Sequence, residues 1–181
     1  DKRRYFVPFA KIPPAVVQAF ISAEDKDFYS HHGIDPVAIV RAAVLNASSG
    51  RSVGASTVTQ QVAKNLIVGD EKSLSRKIRE AILALRIDSA YSKQKILELY
   101  LNEIYLGQNS YGIGAAATNY FGKSLDQLDI AEVAFLAALP KAPSNYDPRT
   151  NLRAAMDRRN WVIGQMADNG YISQEQARAA I

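Results

Sequence analysis

Apolar residues recur along this chain at helical spacing and almost nowhere in alternation. Between Pro14 and Ala23, Val16, Val17, Phe20 and Ile21 share one side of a helix, which predicts a buried face and puts Glu24 on the last turn, held rigidly but reaching open space. Gly33, Asp35 and Pro36 then read as a backbone break, a cap and a first helical position, so the link to the next helix is short. That helix is predicted over residues 36–47, with Val37, Val40 and Val44 to one side. The Ser/Gly-rich run from Ala47 to Ser56 has no periodicity and is expected to be a mobile loop and a gate.

Ser56 is the expected N-cap of a third helix, in which Val58, Val62 and Leu66 lie to one side while Thr57, Gln61 and Lys64 recur at i, i+4 and i+7 on another. Ser73 caps a fourth, whose apolar set Leu74, Ile78, Ala81, Ile82 and Leu85 predicts the buried side. Arg76, Lys77 and Glu80, with Lys72 at the leading end, fall opposite that set. Ser92 opens a helix through Ile96, Leu97, Tyr100, Leu101 and Ile104 that stops by Gly107. A GIGAAA helix follows, ending at Phe121-Gly122, and capping boxes pair Ser124 with Gln127 and Asp129 with Glu132. The proline-rich LPKAPSNYDP is a loop, and residues 152–169 and 174–181 form closing helices around Gly170. Pro8, Pro13 and Pro14 keep the first dozen residues extended. The class is mainly α, without an internal repeat.

Composition narrows the picture. With 181 residues and 48% apolar content, the chain is long enough for one well-cored domain, so a single domain over 1–181 is expected. Lys and Arg exceed Asp and Glu by 22 to 18, a mild basic balance that suits an anionic partner without requiring nucleic acid. The absence of cysteine excludes disulfides and thiolate metal sites. No run approaches the ~18 apolar residues of a membrane span, and the abrupt start at Asp1-Lys2-Arg3-Arg4 reads as a fragment of a longer chain.

Several chemistries are demoted by spacing. His31 and His32 are adjacent and nothing near them completes a metal set, so no metal site is predicted. Ser92 and Lys95 match a Ser-x-x-Lys nucleophile pattern but lack its companion motifs, which leaves a helix cap. Gly112 and Gly114 lack the remainder of a dinucleotide fingerprint. What remains is a carboxylate at Glu24, a Thr/Gln/Lys helix face and an Arg/Lys/Glu face. A basic groove holding one or two carboxylates suits attack by a hydroxyl with departure of an anionic phosphate.

EDKDFYSHHGID, GASTVTQQVAKN, RKIRE, KILELYLNEIYLG and LPKAPSNYDP resemble, in order, the five motifs of the glycosyltransferases that polymerise peptidoglycan, with the closest likeness to the transferase domains of class A penicillin-binding proteins. The likeness covers nearly the whole chain; Gly54-Ala55 stands where many members have Gly-Gly. It implies a lysozyme-like, two-lobed helical fold with a smaller membrane-facing lobe. It implies Glu24 as general base, with Asp25, Phe28 and His31 shaping its site, Ser56, Thr57, Gln61 and Lys64 on the donor side, and Arg76, Lys77 and Glu80 as the third motif, Glu80 being a second important acid. Glu80 would orient a cation, a divalent ion or the sugar. No cofactor is required, and Mg or Mn is left open.

The implied partners are the lipid-linked peptidoglycan precursor, the growing glycan and a membrane surface at the outer, periplasmic face of the bacterial cytoplasmic membrane. Protein partners are unknown. Two patches could face lipid: Tyr5, Phe6, Val7 and Phe9 beside Lys2, Arg3 and Arg4, or Leu66, Ile67 and Val68 before the run Asp70 to Lys72, the second being favoured. The rival readings are a lytic muramidase, which would not need the Lys/Arg faces, and a non-catalytic membrane-surface module, which would not need Glu24.

Overall fold

The computed structural model describes residues 5–49, 54–67, 73–143 and 145–181. Among these the α-helices are α1 (Pro14–Glu24), α2 (Pro36–Ser49), α3 (Val58–Leu66), α4 (Leu74–Ala90), α5 (Lys93–Glu103), α6 (Ile113–Phe121), α7 (Ile130–Ala138), α8 (Leu152–Asp168) and α9 (Gln174–Ala180). An isolated antiparallel bridge, Tyr105 to Tyr111, is the extent of β-pairing among the described residues. The mainly α expectation holds. The chain divides into two compact units, Asp1–Lys26 with Leu97–Ile181, and Asp27–Ile96, and the second boundary falls within α5.

The first unit is organised on α7. Every residue from Val133 to Leu139 is buried, the signature of a helix apolar on all sides and surrounded by others. Helices α1, α6 and α8 pack on it, α1 also packs on α8, and α9 packs on α8. Val16, Val17, Phe20 and Ile21 of α1 are buried as their spacing predicts, together with Val162, Ile163 and Met166 of α8. The start of α7 is set by the expected capping box: Glu132 N–H donates to Asp129 Oδ1 at 2.8 Å, and Asp129 N–H donates to Glu132 Oε1 at 3.0 Å. Side chains of α5 hold the N-terminal segment. Asn102 accepts from Val7 N–H at 2.7 Å and returns a bond to Val7 O at 2.9 Å, while Glu98 accepts from Phe9 N–H at 2.8 Å. That segment is not extended throughout, because Phe9–Lys11 forms a 3-10 turn.

The second unit departs from the pattern of its large apolar residues. On α4, Leu74, Ile78, Ile82 and Leu85 are exposed, and the buried stripe is Glu80, Ala84 and Ile87 at i, i+4 and i+7. The predicted buried side of this helix is therefore reversed. The reason is close packing by small groups: α3 packs on α4, and Gly33, at φ +108°, lies so near the α4 backbone that a Cβ there would sit 2.5 Å from Ala84 O. Val37, Val40 and Val44 of α2 are likewise exposed, and Ala42 is the buried residue of that helix. Leu66 is exposed too, although Val58 and Val62 are buried as expected.

Two boundaries also move. Helix α2 continues through Ser49, beyond the predicted end at Ala47. The N-cap of α3 is Thr57 rather than Ser56: Thr57 Oγ1 accepts from Gln60 N–H, and the Gln60 side chain accepts from Thr57 N–H, a capping box one residue later than predicted. The caps at Ser73, Ser92 and Asp35 form as expected. Residues 50–53 of the predicted gate, Lys72, and Lys2 to Arg4, Val68 and Asp70 to Lys72 of the two lipid-facing patches lie outside the described residues.

The reversed face of α4 has a measurable consequence. Ile78→Ser should change stability by no more than ~0.5 kcal/mol, the range of a surface substitution, whereas Ala84→Leu should cost ~1–3 kcal/mol by overpacking. Urea unfolding of the two variants reads the difference; equal losses would restore the face predicted from side-chain size.

Candidate active site

Glu24 closes α1. Asp25, the C-cap, donates its N–H to Ile21 O at 2.8 Å and then leaves the helix at φ −161° and ψ 71°, so the chain turns away immediately after the carboxylate. The Glu24 side chain is 22% exposed, yet its Oε1 is buried without a hydrogen-bond partner. The expectation of a carboxylate reaching open space is thus met only in part: one oxygen is enclosed and the rest of the group is accessible. Arg158 of α8 brings Nη2 to 3.9 Å from Oε1, an ion-pair distance too long for a hydrogen bond.

Burial pushes the Glu24 carboxyl above the usual carboxylate range, with Asp25 adding to the rise, while Arg158 and Lys141 pull in the opposite direction and do not cancel it. Burial outweighs the two cations. A carboxylate of raised basicity with an accessible side is suited to accept a proton. Tyr100, 2% exposed and edge-on to Phe20, has its hydroxyl pushed far above the ordinary phenol range by burial and by Glu24 and Asp25, so it remains protonated beside them. Asp25 itself is buried.

The other predicted site residues belong to the second unit and divide into buried and accessible groups. Phe28 is fully buried, edge-on to His31 at 5.7 Å, and Lys93 Nζ stands 4.6 Å from its ring centre. His31 Nδ1 accepts from Gly33 N–H at 3.1 Å, and Lys93 donates to His31 O at 2.6 Å and to Asp88 Oδ1 at 2.7 Å. Phe28 and His31 therefore build the turn that delivers Gly33 to α4. Thr57 is buried, and its hydroxyl donates to Gly33 O at 2.6 Å besides capping α3. Ser56 and Gln61 are half-buried, Lys64 is exposed, Arg76 is half-buried and Lys77 is exposed. Glu80 is 3% exposed, with Lys77 Nζ 3.6 Å from its Oε1.

Among the described residues no group of three or more His, Cys, Asp or Glu gathers in a metal-holding arrangement. Arg158, Lys141, Tyr100, Lys93 and Asp88 are absent from the predicted site. Lys141 stands in the LPKAPSNYDP stretch, where its charge was a usable signal. Arg158 sits in the charged run Asp157-Arg158-Arg159 of a predicted closing helix, and the packing of α1 on α8 is what brings it to Glu24.

The transglycosylase family model matches residues 1–167. The chain belongs to the transglycosylase family. It is 51% identical over 181 residues to penicillin-binding protein 1A of Aquifex aeolicus, covering 99% of this chain and 25% of that protein. To penicillin-binding protein 1A of Escherichia coli it is 53% identical over 177 residues, covering 97% of this chain and 21% of that protein. A crystal structure of penicillin-binding protein 1A from Haemophilus influenzae superposes with a TM-score of 0.61 at 32% identity, covering 99% of this chain and 17% of the other. This transglycosylase domain thus spans about a quarter or less of the relatives it matches, and it is a glycosyltransferase domain of the class A penicillin-binding protein type with the helical fold of that group.

The raised basicity of Glu24 has a defined sign in kinetics. A group that must be ionised to act, and whose carboxyl is raised above the ordinary 4.5, should place the acid limb of the kcat/KM profile above pH 4.5, with activity falling as pH drops through that limb. Glu24→Gln should lower kcat by ~10²- to 10⁴-fold and abolish the limb. An unshifted limb in the Gln variant would assign it to another group.

Proposed function

We propose that this domain polymerises a lipid-linked disaccharide-peptide precursor into β-1,4 glycan, with inversion at the anomeric carbon. The observation that carries the reading is Glu24: a helix-end carboxylate of raised basicity, enclosed on one side and accessible on the other, in a chain of the transglycosylase family. In the reaction, the 4-hydroxyl oxygen of the acceptor sugar attacks the donor anomeric carbon. The bond from that carbon to the diphosphate oxygen breaks, the electron pair leaves with the lipid diphosphate, and Glu24 takes the hydroxyl proton. Arg158, 3.9 Å from Oε1, favours the charged form of Glu24, and Tyr100 stays protonated.

Lys64, Arg76 and Lys77 are the cations proposed to meet the departing diphosphate; Lys64 and Lys77 are exposed and Arg76 half-buried, on two packed helices of one unit. Of the partners open to Glu80, the cation has geometric support, since Lys77 lies 3.6 Å away. Glu80 then orients Lys77 rather than touching sugar. Mg or Mn beside Glu80 would be an ion shared with substrate phosphates, and no step depends on it. Thr57 acts through the fold, its hydroxyl being engaged on both sides.

The domain would work at the outer face of the cytoplasmic membrane. No helix of the described residues is long and apolar enough to cross a bilayer. Exposed apolar residues on α2 (Val37, Val40, Val44), α4 (Leu74, Ile78, Ile82) and at Leu66 support a surface contact through the second unit. This enlarges the Leu66 patch, and Tyr5 and Phe6 of the other unit are exposed as well.

Incubation with purified lipid-linked precursor should yield glycan polymer, and neither muropeptide fragments, which a lytic enzyme would release, nor unchanged substrate, which a binding module would leave. In liposome co-sedimentation, Val40→Ser combined with Ile78→Ser should reduce the bound fraction severalfold while circular dichroism stays unchanged. Equal partitioning of the folded variant would remove these faces from the membrane contact.

A further inference from the structure

We propose that Arg158 is the positioning residue of Glu24: braced against Trp161 and 3.9 Å from the enclosed Glu24 Oε1, it holds the carboxylate charged and oriented from its buried side and leaves the accessible side to receive the proton. The inference rests on Glu24 being the base.

Three geometric facts support it. The guanidinium lies 3.9 Å from the centre of the Trp161 ring, a cation–π stack that fixes its plane from one turn along the same helix. The Arg158 side chain is 13% exposed, so the charge is largely out of water and acts at short range. Glu24 Oε1 and Arg158 Nε are both buried without hydrogen-bond partners. A pair meant for stability would close to a bidentate bond near 2.8 Å and satisfy both groups; here the spacing of α1 and α8 keeps them apart.

That separation suits a base. A hydrogen-bonded guanidinium would take up the carboxylate lone pair and depress its basicity, whereas an isolated buried carboxylate would hold its proton and could not accept another. The groups that act on Glu24 from the elements around it are Arg158 on α8, Lys141 after α7 and Asp25 at its own C-cap; Tyr100 on α5 feels the Glu24 charge in turn. Arg158 is the largest of the charges opposing the effect of burial. Its own guanidinium is made less basic by burial and is stabilised by Glu24 and Tyr146, so the two charges depend on each other.

The test separates this inference from the proposed reaction, because its main readout needs no turnover. In protein carrying carbon-13-labelled glutamate, the Glu24 side-chain resonance is assigned by its loss in Glu24→Gln and titrated with pH. Arg158→Met should move the midpoint up by about one pH unit or more, as expected for loss of an opposite charge within ~4 Å. Arg158→Lys should bring it most of the way back. Should the Met variant fail to fold, Arg158→Gln carries the same expectation. Arg159→Met is the control, since Arg159 donates to Asn160 Oδ1 at 3.1 and 2.8 Å, and it should leave the midpoint unchanged. In turnover assays the acid limb of kcat/KM should rise with the NMR midpoint, and the neutral-pH loss in Arg158→Met should be recovered at higher pH. A midpoint unmoved in folded Arg158→Met or Arg158→Gln, or a loss of activity that no rise in pH restores, would overturn the assignment.

Discussion

Packing of α1 and α8 against the apolar column of α7 is the constraint on which the candidate active site depends. With Val133 to Leu139 buried on every side, α7 can be satisfied only by neighbours all round, and α1 and α8 are two of them. Their mutual contact sets where the last turn of α1 ends relative to the middle of α8. Glu24 and Arg158 project from those places, and the helix spacing, rather than any bond between them, leaves 3.9 Å between Oε1 and Nη2. The chemistry of Glu24 is therefore a by-product of core packing: the neighbours that enclose the carboxylate raise its basicity, and the cations on the same elements limit the rise.

The second unit uses its interior differently. Its buried polar groups serve the fold: Thr57 joins the α3 cap to the Gly33 turn, His31 and Lys93 hold that turn, and Gly33 abuts α4 at Ala84. In exchange, valines of α2 and leucines and isoleucines of α4 face outward. Such exposure is unfavourable in water and is consistent with a unit that meets an apolar phase. The accessible cations Lys64 and Lys77 lie on α3 and α4, the two helices that the Gly33 and Thr57 contacts hold in place. Several residues of the shared motifs thus differ in placement, Lys64 and Lys77 standing at the surface while Thr57 and His31 fix the elements around them.

The amino-acid sequence by itself determined the helix inventory, because caps and periodicity are local. Ser73, Ser92, Asp35 and Asp129 each accept from a backbone N–H three residues on, so their effect is readable without knowing the fold. The five motifs were equally legible, and with them the family and the place of Glu24 at a helix end. Tertiary structure decided which face of α2 and α4 is inside, whereas the buried face of α1 follows its spacing. On α4, Leu74, Ile78, Ile82 and Leu85 point outward because the Gly33 turn abuts the backbone at Ala84 and α3 packs on this helix, a choice made by neighbours rather than by hydrophobicity. It also decided that Arg158, 134 positions further along the chain and within a run of surface-like charges, becomes the neighbour of Glu24. Contacts of that range are set by how helices pack, and no local periodicity carries them.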